Sequence, residues 1–355
     1  MKNINKIEFL LDELAVDAIV INQKATKVYV DGLTGSGVWL IISRKGNYQI
    51  MDGRYQTAAE ESTTVFKNIV TKQGNVLSTI LKWLAKENIN KIAAEEELPY
   101  AQFKALSEVC KVKSLGDRIP KIRSTKTQAE IEKIKVACAL GDAVFKQLLT
   151  TIHVGMTEKE VVGEIYRLIY QLGADGVSFD PVISSGPRTA MPHGRASDRI
   201  LCTGDFLLLD FGVVKDGYQS DMTRTISVGK ATDQFRKMYG ILRPIQNETA
   251  QQFIAGKLGK EIHNFAAHKI EVAGYGDYFT HGLGHGLGIG GGERPLMNAS
   301  SNDVLTAGMV GTCEPGIYIP GLGGIRIEDD ILVTNSVPQI LTKTTREIIE
   351  LETND

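Results

Sequence analysis

Five residues able to bind cations, Asp210, Asp221, His285, Glu314 and Glu328, fall within little more than a hundred positions of this chain. The first two lie in Phe206–Val228, which reads FLLLDFGVVKDGYQSDMTRTISV. Phe206–Val214 is apolar and rich in strand formers, Lys215-Asp216-Gly217-Tyr218 is a turn signal, and Tyr218–Val228 alternates. Two such runs around an Asp-Gly pair predict a hairpin closed by a type I′ turn. A two-residue loop sets Asp210 opposite Thr223. It makes Asp221 the diagonal neighbour on the same face, because side chains alternate along a strand. Diagonal neighbours are about 7–8 Å apart, a gap carboxylates can lean across. Two anions converging from apolar surroundings repel each other unless something cationic lies between them. The same stretch reads equally well as an exposed polar face with two solvated aspartates.

A second hairpin is predicted from Val310–Ile319, a turn at Pro320–Gly324, and Ile325–Thr334. A five-residue loop centred on Leu322 puts Gly316 opposite Glu328 and Glu314 diagonal to it, again on one face. Between the hairpins in sequence lies THGLGHGLG, Thr280–Gly288, where glycines beside His285 let backbone and ligand approach closely. Four carboxylates and one imidazole can hold two divalent ions. Such pairs, about 3.5–4 Å apart, acidify a water, and a nearby carboxylate can shuttle its proton. Mn²⁺, Co²⁺, Zn²⁺ and Fe²⁺ all suit this donor set, and the lack of thiolates argues against a structural zinc site.

The elements that must position these residues follow from the rest of the chain. At 355 residues two domains are expected. Apolar content of 43% and charged content of 23% are ordinary for a soluble globular protein. A net charge of -2 gives no basic field for nucleic acid. Cys110, Cys138, Cys202 and Cys313 form no CxxC pair, which suggests reduced thiols in a cytoplasmic protein. The N-terminal MKNINKIEFLLDELAVD has an amphipathic helix pattern with internal acids, unlike a signal peptide. No apolar run approaches the roughly 18–20 residues that span a bilayer, so no membrane association is expected.

Residues 1–123 alternate helix and strand and read as an α/β domain. Helices are expected over Ile4–Leu14, Tyr55–Glu61, Val76–Lys86 and Tyr100–Cys110. Strands are expected over Ala18–Asn22, Val38–Ser43, Tyr48–Met51 and Lys91–Ala94. A linker falls near Arg118–Ser124. Thr127 with Glu130 and Thr157 with Glu160 are capping-box signatures for helices reaching about Thr150 and Leu172. Strands over Ser178–Ser185 and Ile200–Thr203 follow, then the first hairpin, then a helical stretch over Asp233–Glu271 broken at Pro244. Helices segregated from strands make residues 124–355 an α+β domain.

Six motifs in order then resemble the creatinase/methionine-aminopeptidase, or pita-bread, superfamily of metallopeptidase family M24. They are Ser178-Phe179-Asp180 with Met191-Pro192-His193-Gly194; Asp210-Phe211-Gly212; Asp221-Met222-Thr223-Arg224-Thr225; Gly284-His285-Gly286; Cys313-Glu314-Pro315-Gly316-Ile317-Tyr318; and Arg326-Ile327-Glu328-Asp329-Asp330. Within it the chain most resembles Xaa-Pro peptidases, aminopeptidase P and prolidase. Asp31–Gly37 (DGLTGSG) and Met51–Tyr55 (MDGRY) extend that likeness into the N-terminal half. The resemblance implies a smaller α/β creatinase-type N-terminal domain and a pita-bread catalytic domain. It also implies two metal ions, Mn²⁺ first among the alternatives, on Asp210, Asp221, His285, Glu314 and Glu328. Asp221 and Glu328 would bridge, Glu314 would relay a proton, and His193 and His281 would contact substrate and intermediate. Short proline-containing peptides would be the substrates and a homodimer the working state. Dipeptidase and aminopeptidase both remain open.

One position departs from the family pattern GHxxGxxxHExP. Gly292 stands where a second histidine normally follows the ligand histidine by seven residues, although Glu293 and Pro295 fit. That imidazole would donate a hydrogen bond to the scissile carbonyl oxygen or the tetrahedral intermediate, a loss of about 10²–10³ in turnover. His281, Arg294 and Arg326 are candidates to replace it. Otherwise the chain is a family member with slow or altered activity, or a binding protein that keeps its metals.

Overall fold

The computed structural model describes residues 3–62, 64–71 and 75–352. The chain divides into two compact units, Met1–Arg123 and Ser124–Asp355. In the first, six strands among the described residues form one sheet: β1 (Ala18–Ile21), β2 (Val38–Ser43), β3 (Gly46–Asp52), β4 (Lys67–Thr71), β5 (Lys91–Ala94) and β6 (Lys111–Ser114). Their order is β4-β3-β2-β1-β5-β6. β1 and β2, AIVI and VWLIIS, are buried along their whole length. Central strands covered on both faces read as continuous apolar runs rather than alternations. The edge strands β4 and β6, KNIVT and KVKS, carry exposed lysines and lack such a run. They were not predicted for that reason. Neither was the short helix α2 (Lys24–Tyr29). It lies between α1 (Asn3–Glu13) and α3 (Gln56–Glu61), α4 (Val76–Lys86) and α5 (Tyr100–Ser107). The expected linker is itself helical, as α6 (Arg118–Ser124).

The second unit opens with α7 (Gln128–Leu148) and α8 (Glu158–Gln171). Both begin in full capping boxes, at Thr127/Glu130 and Thr157/Glu160. Strands β7 (Gly176–Val177), β8 (Val182–Ser185), β9 (Phe206–Phe211), β10 (Val213–Lys215), β11 (Tyr218–Gln219) and β12 (Met222–Val228) follow. Ile200–Thr203 is not a strand; Ile200 makes only an isolated bridge to Thr157. Helix α9 (Asp233–Ala250) runs through Pro244 without interruption, and the break before α10 (Gly259–Val272) comes at 251–258. Proline removes one intrahelical hydrogen bond but need not end a helix that is otherwise packed. Phe235, Met238, Tyr239, Leu242 and Ile245 bury one face of α9 on both sides of the proline.

The chain then adds β13 (Gly284–Gly286), β14 (Glu293–Met297), β15 (Val310–Cys313), β16 (Gly316–Ile319), β17 (Gly323–Arg326) and β18 (Asp329–Leu332). Short strands β19 (Gln339–Ile340) and β20 (Glu350–Leu351) complete the sheets. Two apolar cores result. One packs α7 and α8 against Leu207, Leu209, Phe211 and Ile226. The other packs α9 and α10 against Cys313, Ile317, Ile325 and Ile331. Each helix pair thus backs one hairpin.

Arg224 ties the two hairpins together. Its guanidinium is fully buried, pairs with Asp329 at 2.7 Å, and donates to the carbonyls of Thr223 (2.9 Å) and Glu328. Gln246 and Arg346 donate to the other Asp329 oxygen. A buried charge is tolerable only with its hydrogen bonds met in this way. Three of the four cysteines are buried, Cys202 is exposed, and all four are free. Among the described residues no helix is long and apolar enough to cross a membrane.

Candidate active site and metal centre

The first hairpin has the predicted register. Lys215 pairs with Tyr218 around a two-residue loop, Asp216 and Gly217 have φ of 49° and 78°, and Asp210 lies opposite Thr223. These positive angles define the type I′ turn. The ribbon breaks at Gly212. There a Cβ would sit 1.8 Å from the Ser220 carbonyl oxygen, so only glycine fits. Asp221 follows at this break, with its N–H donating to Asp330 Oδ2 at 2.9 Å.

The second hairpin differs in its turn. The loop has three residues, Pro320-Gly321-Leu322, with Ile319 paired to Gly323 and Gly316 to Arg326 rather than to Glu328. Cys313 pairs with Asp329 in the same register, which sets Glu314 and Glu328 directly opposite each other rather than diagonal. The shift is two residues, and an even shift keeps every side chain on its own face. The convergence therefore survives an error in loop length. Glu328 is fixed twice to the first hairpin: its N–H donates to the Thr223 carbonyl (3.1 Å), and Thr223 Oγ1 donates to its Oε2 (2.5 Å).

One carboxylate oxygen from each of Asp210, Asp221 and Glu328 lies within 4.8 Å of the others. His285 Nε2 stands 3.7 Å from Asp221 Oδ2 and 3.9 Å from Glu314 Oε1. Its Nδ1 donates to the Gly286 carbonyl at 3.0 Å, leaving the Nε2 lone pair facing the acids. A histidine ligand is oriented by just such a bond on its other nitrogen. Glu314 Oε1 accepts from Thr312 Oγ1 at 3.1 Å.

Burial raises the carboxyl pKa of all four acids. For Asp221 and Glu328 burial first, and their carboxylate neighbours next, push it well above the ordinary range. Arg326, which pairs with Asp210, offsets part of this for Asp210 and for Glu314. Asp210 Oδ1 is buried with no hydrogen-bond partner among the described residues. Buried anions that repel, with one oxygen unmet, fit cations held among them. Chelation by these oxygens and one imidazole nitrogen suits divalent ions.

The acids floor a cavity of about 590 Å³, walled by Phe179, Asp180, His193, Arg195, His281 and Gly291. His193 is exposed on this wall and makes no hydrogen bond to the other described residues. His281 is differently placed. Nδ1 donates to the Gly282 carbonyl (2.7 Å), and Nε2 lies 2.8 Å from the Tyr318 hydroxyl. Burial lowers its pKa to about 4, so near neutral pH the ring is uncharged and Nε2 accepts from the tyrosine. Arg326 donates to Tyr318 (2.8 Å), Thr223 Oγ1 (3.1 Å), the Pro192 carbonyl (3.1 Å) and Asp210. Arg294 pairs with Asp303. All three suggested substitutes for the missing imidazole are thus already engaged. Sequence reasoning missed Tyr318, Thr312, Thr223 and Asp330 as supports. The corrected hairpin register would have found the Gly316–Arg326 pairing that brings Tyr318 and Arg326 together.

A two-hairpin α+β unit gathering carboxylates beside one histidine is the pita-bread fold of metal-dependent peptidases. Residues 132–335 match the family model of metallopeptidase family M24, and residues 4–125 match the creatinase/prolidase N-terminal domain. The chain belongs to family M24. It is 35% identical over 353 residues to the Xaa-Pro dipeptidase of Pyrococcus horikoshii, covering 98% of this chain and 99% of that one. The structure is similar to an Xaa-Pro dipeptidase from Bacillus anthracis, with a TM-score of 0.92, 35% identity and 99% coverage of both chains. It is also similar to an X-Pro aminopeptidase from Thermotoga maritima, with a TM-score of 0.88, 34% identity, and coverage of 96% of this chain and 99% of that one.

Proposed function

We propose that this protein is a dinuclear-metal peptidase that hydrolyses the Xaa-Pro bond at the N-terminus of short peptides. The observation that carries the reading is the convergence of Asp210, Asp221 and Glu328 on one point beside His285 and Glu314. Asp210, Asp221, His285, Glu314 and Glu328 would hold two divalent ions, Mn²⁺ by preference, with Asp221 and Glu328 the residues that would serve both. When bound, the ions supply Lewis-acid polarisation and acidify a water toward neutral pH.

The remaining work falls to side chains. Glu314, mostly buried but reaching the cavity and made more basic by burial, takes the proton of the attacking water. It returns that proton to the proline nitrogen as the C–N bond breaks. His193 donates to the scissile carbonyl oxygen. His281, held neutral between Gly282 and Tyr318, shapes the wall against which the intermediate forms. The working state is a homodimer in the cytoplasm, and sedimentation of the purified protein tests the assembly.

The test is hydrolysis of Xaa-Pro dipeptides and Xaa-Pro-Yaa tripeptides after Mn²⁺ loading, with Xaa-Ala peptides as controls. Release of the N-terminal residue from the proline substrates, and little from the controls, is the expected result. Failure on every proline peptide would leave the second reading, a metal-retaining binding protein, which Gly292 favours.

The Gly292 position gives a sharper test. Nothing lies within 4 Å of a Cβ built there, but its φ is +65°. Gly292→His is expected to raise turnover by about tenfold or more, toward the value of one restored donor. It should cost about 1–2 kcal/mol of stability for the left-handed backbone. An unchanged rate in a folded variant would mean that His193 already meets the need.

A further inference from the structure

We propose that Glu158 is the positioning residue for His193, locking both ends of the arm 185–197 that carries this histidine into the cavity. The inference rests on the reading of His193 as a donor to substrate. Glu158 is the first residue of α8 after its cap and is fully buried. Its Oε1 accepts the Ser185 N–H (2.7 Å) and Ser185 hydroxyl (2.8 Å). Its Oε2 accepts the Ser197 N–H (2.8 Å) and Ser197 hydroxyl (2.7 Å). Each oxygen therefore holds one end of the arm. Arg188 Nε spans the pair at 3.3 and 3.1 Å, supplying the counter-charge. The positive end of α8 adds to it.

The same network reaches the histidine from both sides. Arg188 also donates to the Arg195 carbonyl at 2.6 Å. Arg326 donates to the Pro192 carbonyl at 3.1 Å, and the Gly194 N–H donates to the Met191 carbonyl at 2.9 Å. The backbone on each side of His193 is pinned, while its imidazole stays exposed and unbonded among the described residues. A desolvated carboxylate is costly unless all its acceptor positions are met, and here they are. Closing a surface loop does not require such a group. Holding a side chain to within about an ångström of its target does, since misplacement on that scale costs about 10²-fold in rate.

Glu158→Gln keeps the shape but turns an amide NH₂ toward one pair of serine donors, releasing one end of the arm. On an Xaa-Pro dipeptide, kcat/KM is expected to fall about 10- to 100-fold, with bound Mn²⁺ unchanged and faster backbone amide exchange over 187–197. In the His193→Ala background the same change should cost less than about 2-fold, because its effect runs through that imidazole. Ser197→Ala removes a single hydroxyl and should show a smaller loss of the same kind, which covers the case where Glu158→Gln does not fold. Losses that multiply in the double variant, or exchange over 187–197 that does not change, would overturn the proposal. Failure of the peptidase reading looks different: the unsubstituted enzyme would cleave no Xaa-Pro peptide, and amide exchange would still decide whether Glu158 holds the arm.

Discussion

Asp221→Ala should reduce Xaa-Pro hydrolysis by at least about 10³-fold while leaving the metal-free protein as stable as its parent, or more so. The two halves of this expectation share one cause. Asp221 is buried among Asp210, Glu314, Glu328 and Asp330. Without cations its charge is opposed by desolvation first and by those neighbours next, so removing the carboxylate relieves the apo protein. With cations the same carboxylate is the proposed bridge. The Lewis-acid contribution it supports amounts to several kcal/mol, and each 1.4 kcal/mol is about tenfold in rate. The measurements are kcat/KM with Mn²⁺ and Tm with and without chelator. Retention of more than about 1% of the activity would refute the bridging role. A collapse in apo stability would mean that Asp221 serves the fold rather than the site.

The chelator-treated protein should lose stability as pH rises from 6.5 to 8, and Mn²⁺ should abolish that loss. Burial raises the pKa of Asp210, Asp221, Glu314 and Glu328, and pushes Asp330 to about 8. A carboxyl group with a raised folded-state pKa holds a proton that the unfolded chain has already released. Its contribution is full below the unfolded pKa and disappears as pH climbs through the folded one. His281 and His263, lowered by burial, act the other way, but only below their unfolded value of 6.5. Above 6.5 the acids dominate; Lys27, whose ammonium burial lowers to about 8, acts the other way only toward the top of the window. Asp330 alone gives a slope of up to about 1.4 kcal/mol per pH unit, hence about 2 kcal/mol over this window. That corresponds to a Tm decrease of about 4–8 °C. Cations on the ligand carboxylates would take the place of their protons, and their positive charge would draw down the carboxyl of Asp330 beside Asp221, so the holoenzyme should show a flat or rising profile. A metal-free Tm that holds steady or climbs over the same range would contradict the placement of these charges.

Much of this site could be read before any coordinates, and the reason is parity. Asp210 and Asp221 had to share a face once the Asp216-Gly217 turn was recognised, since an even loop admits no other arrangement. Glu314 and Glu328 were placed on one face despite a loop misjudged by two residues, because only an odd error would have separated them. Long helices with capping boxes were equally legible, since Thr127 and Thr157 announce their starts. Pro244 misled because tertiary packing overrides a local breaker. The supports of the site were hidden for another reason. Glu158, Tyr318, Thr312 and Asp330 matter only through partners that the fold supplies from distant segments, as in the Glu158–Ser197 bond. No local pattern announces such a partner.

The bond from Thr223 to Glu328 joins residues 105 positions apart, and Arg224 fastens the same seam. Contacts of such long range close late, because the chain between them must first be drawn in. Each hairpin can form by itself from neighbouring residues, but the basin of negative charge exists only after the two ribbons have met. The donor set for a cation is therefore a property of the docked pair of hairpins and of neither ribbon alone.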